Sequence, residues 1–599
     1  MESARRRRGD EVLSREGHLM TGKALGGVRR AQMITTYGIG SLVAIGSQSF
    51  MVAGIDHWPD ATEGEDVFIH EPRLEQDLRV SGFRLPPTSE SDRRGDVPVV
   101  RFPVWHSCPE SGVLTEFWRW GNPTGAPTCK EHDDRELVPS RFVMACARGH
   151  IDEFPYYRWV HAGTPPAGRC GQMRIVASGR SAALRDIELS CACGKKMTLD
   201  GALGGSALRG ITSCTGRMPW LGEDVHEDGC DEQPRAMQRG ASGVWFSDVA
   251  SAIDIPPWSQ GVQKLIARHW QALGKSRHLR DLVEDMGLAA KTGYSVDDLV
   301  RAVEQRRRTE AGLDQGSAFD RKVEEYEALT RTTREDSRNK SFVCVPGPDG
   351  SLAPELAVDK VMRVERLREV RVLQSFTRIS APSPVDRAKR GAPLYNEESR
   401  PDWLPAIEVI GEGAFLTIDQ KRLVKWEERE EVRDRAAIID AAYRDLFEPT
   451  TVEPDREITP RFLLLHTLAH SIINEWSLDC GYPAAALRER LYVSDTMAGM
   501  LLYTATSDSA GSLGGIVAQT KPDRLFSSLR SALDRVAWCS ADPLCIEATA
   551  SGVDSLNLAA CHACVLLPET SCEEYNTLLD RGLLIGTPDT PDLGFFKIG

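Results

Sequence analysis

Closely spaced cysteines are the feature that most constrains this chain. Fifteen cysteines occur in 599 residues, and several form short pairs such as Cys191-Ala192-Cys193 and Cys561-His562-Ala563-Cys564. These spacings suit metal thiolates better than disulfides, and an odd count fits poorly with a closed disulfide framework. A reducing compartment follows. Arg5 to Arg8 begin like a secretory signal, but no apolar run of suitable length follows them, and no stretch approaches the ~18 apolar residues needed to cross a bilayer. The expectation is a cytoplasmic protein without a membrane segment.

At 41% apolar and 27% charged residues the chain has the composition of a folded globular protein. Pattern shifts divide it into an α+β, multi-domain arrangement. Residues 1–26 read as a mobile basic tail. Residues 27–257 are a β-rich domain stapled by metal, with short β-prone pieces broken by Gly and Pro and eight of the cysteines. Residues 258–345 read as an exposed helical insert, since Val262, Leu265, Ile266 and Trp270 recur at helical spacing and a charged segment follows. A mixed α/β linker region spans 346–450. Residues 451–599 form an α/β C-terminal zinc-binding domain, opened by a helix whose Leu464, Leu468, Ile472 and Trp476 make one apolar stripe.

Three sets of residues are candidate zinc ligands. Cys539, Cys545, Cys561, Cys564 and Cys572 hold more thiolates than one tetrahedral ion needs; Cys545, Cys561, Cys564 and Cys572 are the favoured four, with Cys539 in reserve. Cys191, Cys193, Cys214 and Cys230 form a second set in a Gly-rich stretch with few large apolar residues. The third is Cys108-Pro-Glu-Ser111 followed by Cys129-Lys-Glu-His132, where Ser111 stands in for one ligand of a pair and Cys146 or His150 is open as its replacement. Cys344 and Cys480 stand apart and read as ordinary packed thiols.

Other motifs mostly exclude. His466 and His470 share a helical face, as in zinc hydrolases, but Thr467 occupies the place of the general-base Glu and the spacing indicates no third ligand. A metal-dependent hydrolase or nuclease using these two histidines is therefore the secondary reading. Around Lys291 and Thr292 the phosphate-binding Gly before Lys is missing, so no ATPase loop is written there. The formal net charge of −14 argues against a broadly basic nucleic-acid binder. Residues 1–40 nevertheless carry eight basic against four acidic side chains, whereas residues 451–599 carry ten against nineteen. Arg29, Arg30, Arg368 and Arg371 are the candidate DNA contacts.

Several motifs together resemble a known family. VRRAQMITTYGIG over 28–40, RFVMAC over 141–146, GHIDEFP over 149–155, RLREVR over 366–371 and the C-terminal cysteines resemble the DrmB family of the bacterial anti-phage DISARM system. His466 to His470, Gly514-Gly515, the Cys561, Cys564, Cys572 spacing, Asn576 and Leu579-Asp580 resemble the zinc-binding C-terminal domain of a clade of superfamily-two DNA helicases, here without its motor. The resemblance implies a non-catalytic accessory subunit. It would pair with a separate helicase, DrmA, and help it engage or unwind DNA, single-stranded or with single-stranded ends. Ser111 departs from the Cys-x2-Cys pair expected there.

Overall fold

The computed structural model describes residues 25–60, 67–88, 95–121, 127–163, 170–177, 183–255, 260–292, 295–310, 318–332, 341–349, 354–382, 385, 391–448, 451–504 and 514–597. Most of the expected basic tail thus lies outside the described residues. The fold is α+β and multi-domain. It divides into two compact units, one drawn from Met1–Phe68, Arg84–Ala250 and Val372–Ile407, the other from Ile69–Phe83, Ser251–Arg371 and Glu408–Gly599. Each is discontinuous in sequence, so the five successive segments expected from composition do not map one to one onto compact units. Among the described residues no helix is long and apolar enough to cross a membrane.

The first unit is β-rich. Its six-stranded antiparallel sheet runs in the order Val138–Pro139, Trp105–Ser107, Val113–Glu116, Met173–Ala177, Ile187–Cys191, Lys196–Thr198. Alternation drives these strands: Ile187, Leu189 and Cys191 are buried while Glu188 and Ser190 are less so. A second sheet sets Phe142–Ala145 between Ile151–Glu153 and Arg235–Gln238. Phe142, Phe154, Tyr156, Met173 and Leu189 lie in one buried apolar cluster, with Phe154 and Tyr156 edge to face. The glycines of two resemblance motifs have a mechanical reason. Arg378 is fully buried, and its guanidinium donates to the carbonyls of Gly40, Gly149 and Val244. At Gly40, with φ +76°, a Cβ would lie 2.4 Å from the Phe376 ring.

In the second unit, residues 413–417 pair antiparallel with residues 499–503 of strand Ala498–Thr504, which pairs in turn with Leu487–Val493. Across this sheet packs the helix Pro460–Cys480, whose first turn is capped by Thr459 and whose end turns at left-handed Gly481. Fifteen of its 21 residues are buried, so the single apolar stripe expected from the sequence is in fact a core helix covered on nearly all sides. Helix Pro522–Val536 covers one flank, where Trp476 Nε1 donates to Ser528 Oγ at 3.0 Å.

The helical segment after residue 258 is less of an exposed insert than its charges suggest. Gln260–Leu273, Leu279–Asp285, Leu288–Thr292 and Val296–Glu310 enclose a small core of their own, including Val262, Ile266, Val283, Leu299 and Val303. The next helix, Ala318–Thr330, places Glu325 in the interior, where it accepts from Arg490 Nε at 2.6 Å, Tyr492 Oη at 3.1 Å and Ile253 N at 3.0 Å.

Candidate metal centres

Among the described residues, thirteen of the fifteen cysteines gather into five clusters, four of them with histidine, whose donor atoms lie within 4.8 Å of one another. All fifteen are free of disulfides. Cys344 and Cys480 stay outside: Cys344 Sγ donates to the Leu329 carbonyl at 3.4 Å and Cys480 Sγ to that of Gly515 at 3.5 Å.

The four-cysteine cluster sits beyond helix Pro522–Val536. Cys539 enters on a turn in which its N–H donates to Asp542 at 2.9 Å, and Cys561 and Cys564 form a knuckle closed by the Cys564 N–H on the Cys561 carbonyl at 3.1 Å. Sulfur separations are 3.5 Å for Cys539 and Cys561, 3.6 Å for Cys561 and Cys564, and 3.8 Å for Cys545 and Cys564. Four sulfurs each about 2.3 Å from a tetrahedral zinc ion stand about 3.8 Å apart, so the set has the right size. Burial pushes the Cys545 thiol up to about 11, against the pull of Arg581. At Cys561 burial acts in the same direction but is outweighed by the Ala563 N–H and neighbouring thiols, and its pKa falls below the usual value. Arg581, fully buried and paired with Asp542, supplies positive charge beside the thiolates. Cys539, held in reserve from spacing alone, is a full member. Cys572 is not, and lies instead with His466, His470 and Glu489.

The expected set of Cys191, Cys193, Cys214 and Cys230 is split between two centres, because the strand ends and turns that carry the two pairs recruit different neighbours. Cys214 and Cys230 meet Cys146 and His150. There His150 Nδ1 lies 3.4 Å from Cys146 Sγ and 3.6 Å from Cys214 Sγ, while Nε2 faces Glu227 at 3.1 Å. A carboxylate holding one ring nitrogen leaves the other for the metal. The Cys214 thiol and His150 hold Cys146 down at about 4. Cys191 and Cys193 meet His161 and Cys170 instead. His161 Nδ1–H donates to the Tyr157 carbonyl at 2.6 Å, which turns Nε2 toward Cys193 at 3.3 Å and Cys170 at 3.5 Å. The Lys195 N–H and His161 draw Cys193 down to about 6, and Cys170 rises to about 11, chiefly by loss of solvation.

The third predicted set does converge as three donors. His132 Nδ1 is 3.2 Å from Cys129 Sγ and 3.7 Å from Cys108 Sγ. Both thiols are buried against Leu137 and Trp120. Cys146 and His150, weighed as replacements for the ligand lost at Ser111, are committed to the neighbouring four-donor centre.

The arginines part company. Arg368 is 5% exposed and paired with Asp254 at 2.7 Å and with Glu408. Arg371 is 3% exposed and bonded to Glu369 at 2.6 Å, which also accepts from Tyr503 Oη at 3.0 Å. Neither can reach a phosphate, so the expectation of DNA contact there is corrected: strand Val358–Thr377 is buried continuously over 367–373, and both guanidiniums are held by carboxylates in the interior. Arg29 is exposed and Arg30 half-buried, at the start of the short helix Gln32–Thr35.

Sequence reasoning missed His161 and Glu489, and it considered His150 only for a different cluster. His161 stands apart from any cysteine pair of regular spacing, and Glu489 looks like an ordinary strand residue; only the hydrogen bonds and ring contacts of the folded chain single them out.

Comparison with known proteins gives these centres a setting. A domain of unknown function, DUF8724, matches residues 29–246, which carry the three clusters of the first unit. The MrfA Zn-binding domain matches residues 468–565 and contains the four-cysteine centre. Zinc is thus the cofactor, and the donor types fit it. The DISARM protein DrmB of Bacillus paralicheniformis is 30% identical over 588 residues, covering 92% of this chain and 99% of that protein. Similarity of that extent, running through both zinc-bearing regions, makes this chain a member of the DrmB family of the DISARM anti-phage defence system.

Proposed function

We propose that this chain is a non-catalytic, cytoplasmic DISARM subunit that partners a separate DrmA-like DNA helicase and helps it bind or unwind DNA with single-stranded character. The observation that carries this reading is the MrfA Zn-binding domain matched over 468–565, in a region that resembles the zinc-binding C-terminal domain of a clade of superfamily-two DNA helicases, in a chain whose sequence contains no phosphate-binding ATPase loop. Four-donor centres leave a zinc ion no open position for a substrate, which favours a structural role. The hydrolase alternative loses its access, since His466 and His470 are both fully buried. Binding to DNA by this chain alone would be weak, with Arg29 and Arg30 the remaining candidates and the acidic C-terminal region turned to protein.

The test is reconstitution of the purified chain with its helicase on forked DNA across a salt series. Addition of the chain is expected to raise DNA affinity or unwinding, with a steeper salt dependence than the helicase alone shows. DNA cleavage by the isolated chain, abolished by His470→Ala without loss of folding, would overturn the assignment, as would failure of the two proteins to associate.

A further inference from the structure

The residues that the sequence presents as an incomplete hydrolase motif have a full set of donors in the fold. His466 and His470 lie one turn apart on helix Pro460–Cys480, Glu489 is in strand Leu487–Val493, and Cys572 follows the cysteine knuckle. His466 Nε2 is 3.0 Å from Glu489 Oε1 and 3.2 Å from Cys572 Sγ, and His470 Nε2 is 3.3 Å from the same carboxylate oxygen.

Hydrogen bonds on the outer side of each ligand fix which atoms face inward. Nδ1 of His466 lies 3.1 Å from the Leu578 carbonyl and Nδ1 of His470 2.8 Å from that of Val565. A ring nitrogen against a carbonyl must carry the proton, so in a neutral imidazole each Nε2 presents its lone pair to the cluster. Cys572 Sγ accepts the backbone N–H groups of Glu574 and Asn576, both at 3.3 Å, as a thiolate would. His470 Nε2 and Glu489 Oε2 are buried without a hydrogen-bond partner.

Without a metal this arrangement is hard to sustain. Both rings would need protons on Nε2 to avoid opposing lone pairs, placing two cations and a thiol around one carboxylate in a dry interior. A divalent ion removes the conflict: with one thiolate and one carboxylate the centre is neutral, and all four inward donors are used. Two imidazoles, one carboxylate and one thiolate form a borderline donor set that suits zinc.

We propose that His466 Nε2, His470 Nε2, a Glu489 carboxylate oxygen and Cys572 Sγ hold a second zinc ion in the C-terminal unit, distinct from the four-cysteine centre. The site is closed and structural. It joins the core helix and the central hairpin to the segment beyond Cys564, which has few regular elements of its own. Thr467, standing where a hydrolase carries its general base, is occupied otherwise: Oγ1 donates to the Leu463 carbonyl at 2.7 Å and accepts from Asp580 N at 3.0 Å.

The test is the anomalous signal of the full chain measured on both sides of the zinc edge, which requires no variant. A peak amid these four side chains, about 2 Å from each donor, is the expected result. A peak at the four cysteines with none here overturns the proposal. Zinc content gives a second readout: His470→Gln and Cys561→Ser are each expected to lose one equivalent, and the double variant two. A His470→Gln protein that keeps the full wild-type count would also overturn it.

Discussion

In the first unit the strands of the principal sheet run only two to five residues, and its three metal clusters lie at strand ends and in the loops between them. The second unit has a 21-residue buried helix crossing a hairpin of seven-residue strands, and its four-cysteine cluster lies beyond these elements, in the segment after residue 536. Where the core is made of short pieces, zinc supplies much of the folding energy; where a helix and hairpin already bury each other, zinc fastens what is added to them. The same donor chemistry thus has two structural jobs in one chain.

The largest effect expected from this contrast is that of zinc removal. Structural zinc sites in small peptides contribute on the order of 10 kcal/mol, more than most domains have in reserve. Stripping the protein with a strong chelator is expected to abolish hydrogen-exchange protection over 127–163 and 183–244 and in the segment after 536, while that of the helix at 460–480, which loses the ion proposed at His466 and His470 but keeps its packing against the hairpin, is weakened and not abolished. Equal loss in that helix would break the distinction between the units. Mild acid is expected to imitate the chelator, because thiolates and imidazoles must lose protons to bind metal.

Next in size is the buried ion pair at the heart of the second unit. Glu325→Ala strands the Arg490 guanidinium away from water, at an expected cost of about 3–5 kcal/mol in chemical denaturation. Replacing both partners by apolar residues of similar volume is expected to recover most of that. A zinc-replete Glu325→Ala protein as stable as wild type would show that this core is less self-sufficient than its burial implies.

A smaller effect, running in the same pH direction as the zinc sites but at lower pH, belongs to Glu369. Burial raises its carboxyl pKa, but Arg371 and Arg488 outweigh burial and hold it at about 2. A depressed carboxylate contributes stability that is complete above the unfolded value near 4.5 and disappears as pH falls toward 2. Exchange protection is therefore expected to fail first at the zinc loops and only at lower pH in the sheet around Glu369. Glu369→Gln is expected to flatten the second transition and leave the first in place.

Elements with a strong local period were legible in the sequence: the helices at 260–273 and 460–480. That cysteines bind metal in clusters was legible too, because a Cys-x2-Cys knuckle is a local object. Which pairs share a centre was not. Cys191 and Cys214 are close in sequence, but the first ends a strand and the second lies in an irregular turn beside the 146–150 loop, so each joins whichever histidine the sheet brings near. Arg368 and Arg371 misled for the same reason: a basic run in sequence says nothing about the acidic groups of Asp254, Glu408 and Glu369 that face it once strands pair.

The smallest expected effects come from the two cysteines outside every cluster, and they sharpen the contrast by providing its baseline. Cys480, half-buried at the end of the core helix, donates to the Gly515 carbonyl and accepts from Gln519 Nε2, so Cys480→Ser keeps a donor and an acceptor in place and is expected to change stability by less than about 0.5 kcal/mol. Cys344 is fully buried beside Leu329, and Cys344→Ala, which removes one sulfur from a packed site, is expected to cost roughly 1 kcal/mol. Cys564→Ser, by comparison, breaks the knuckle and leaves three thiolates to hold an ion that needs four. It is expected to release a zinc equivalent and to expose the segment after residue 536 to protease while the hairpin at 487–504 stays intact. Equal losses among the three variants, by denaturation and by zinc content, would mean that the C-terminal cysteines are packed thiols like the other two.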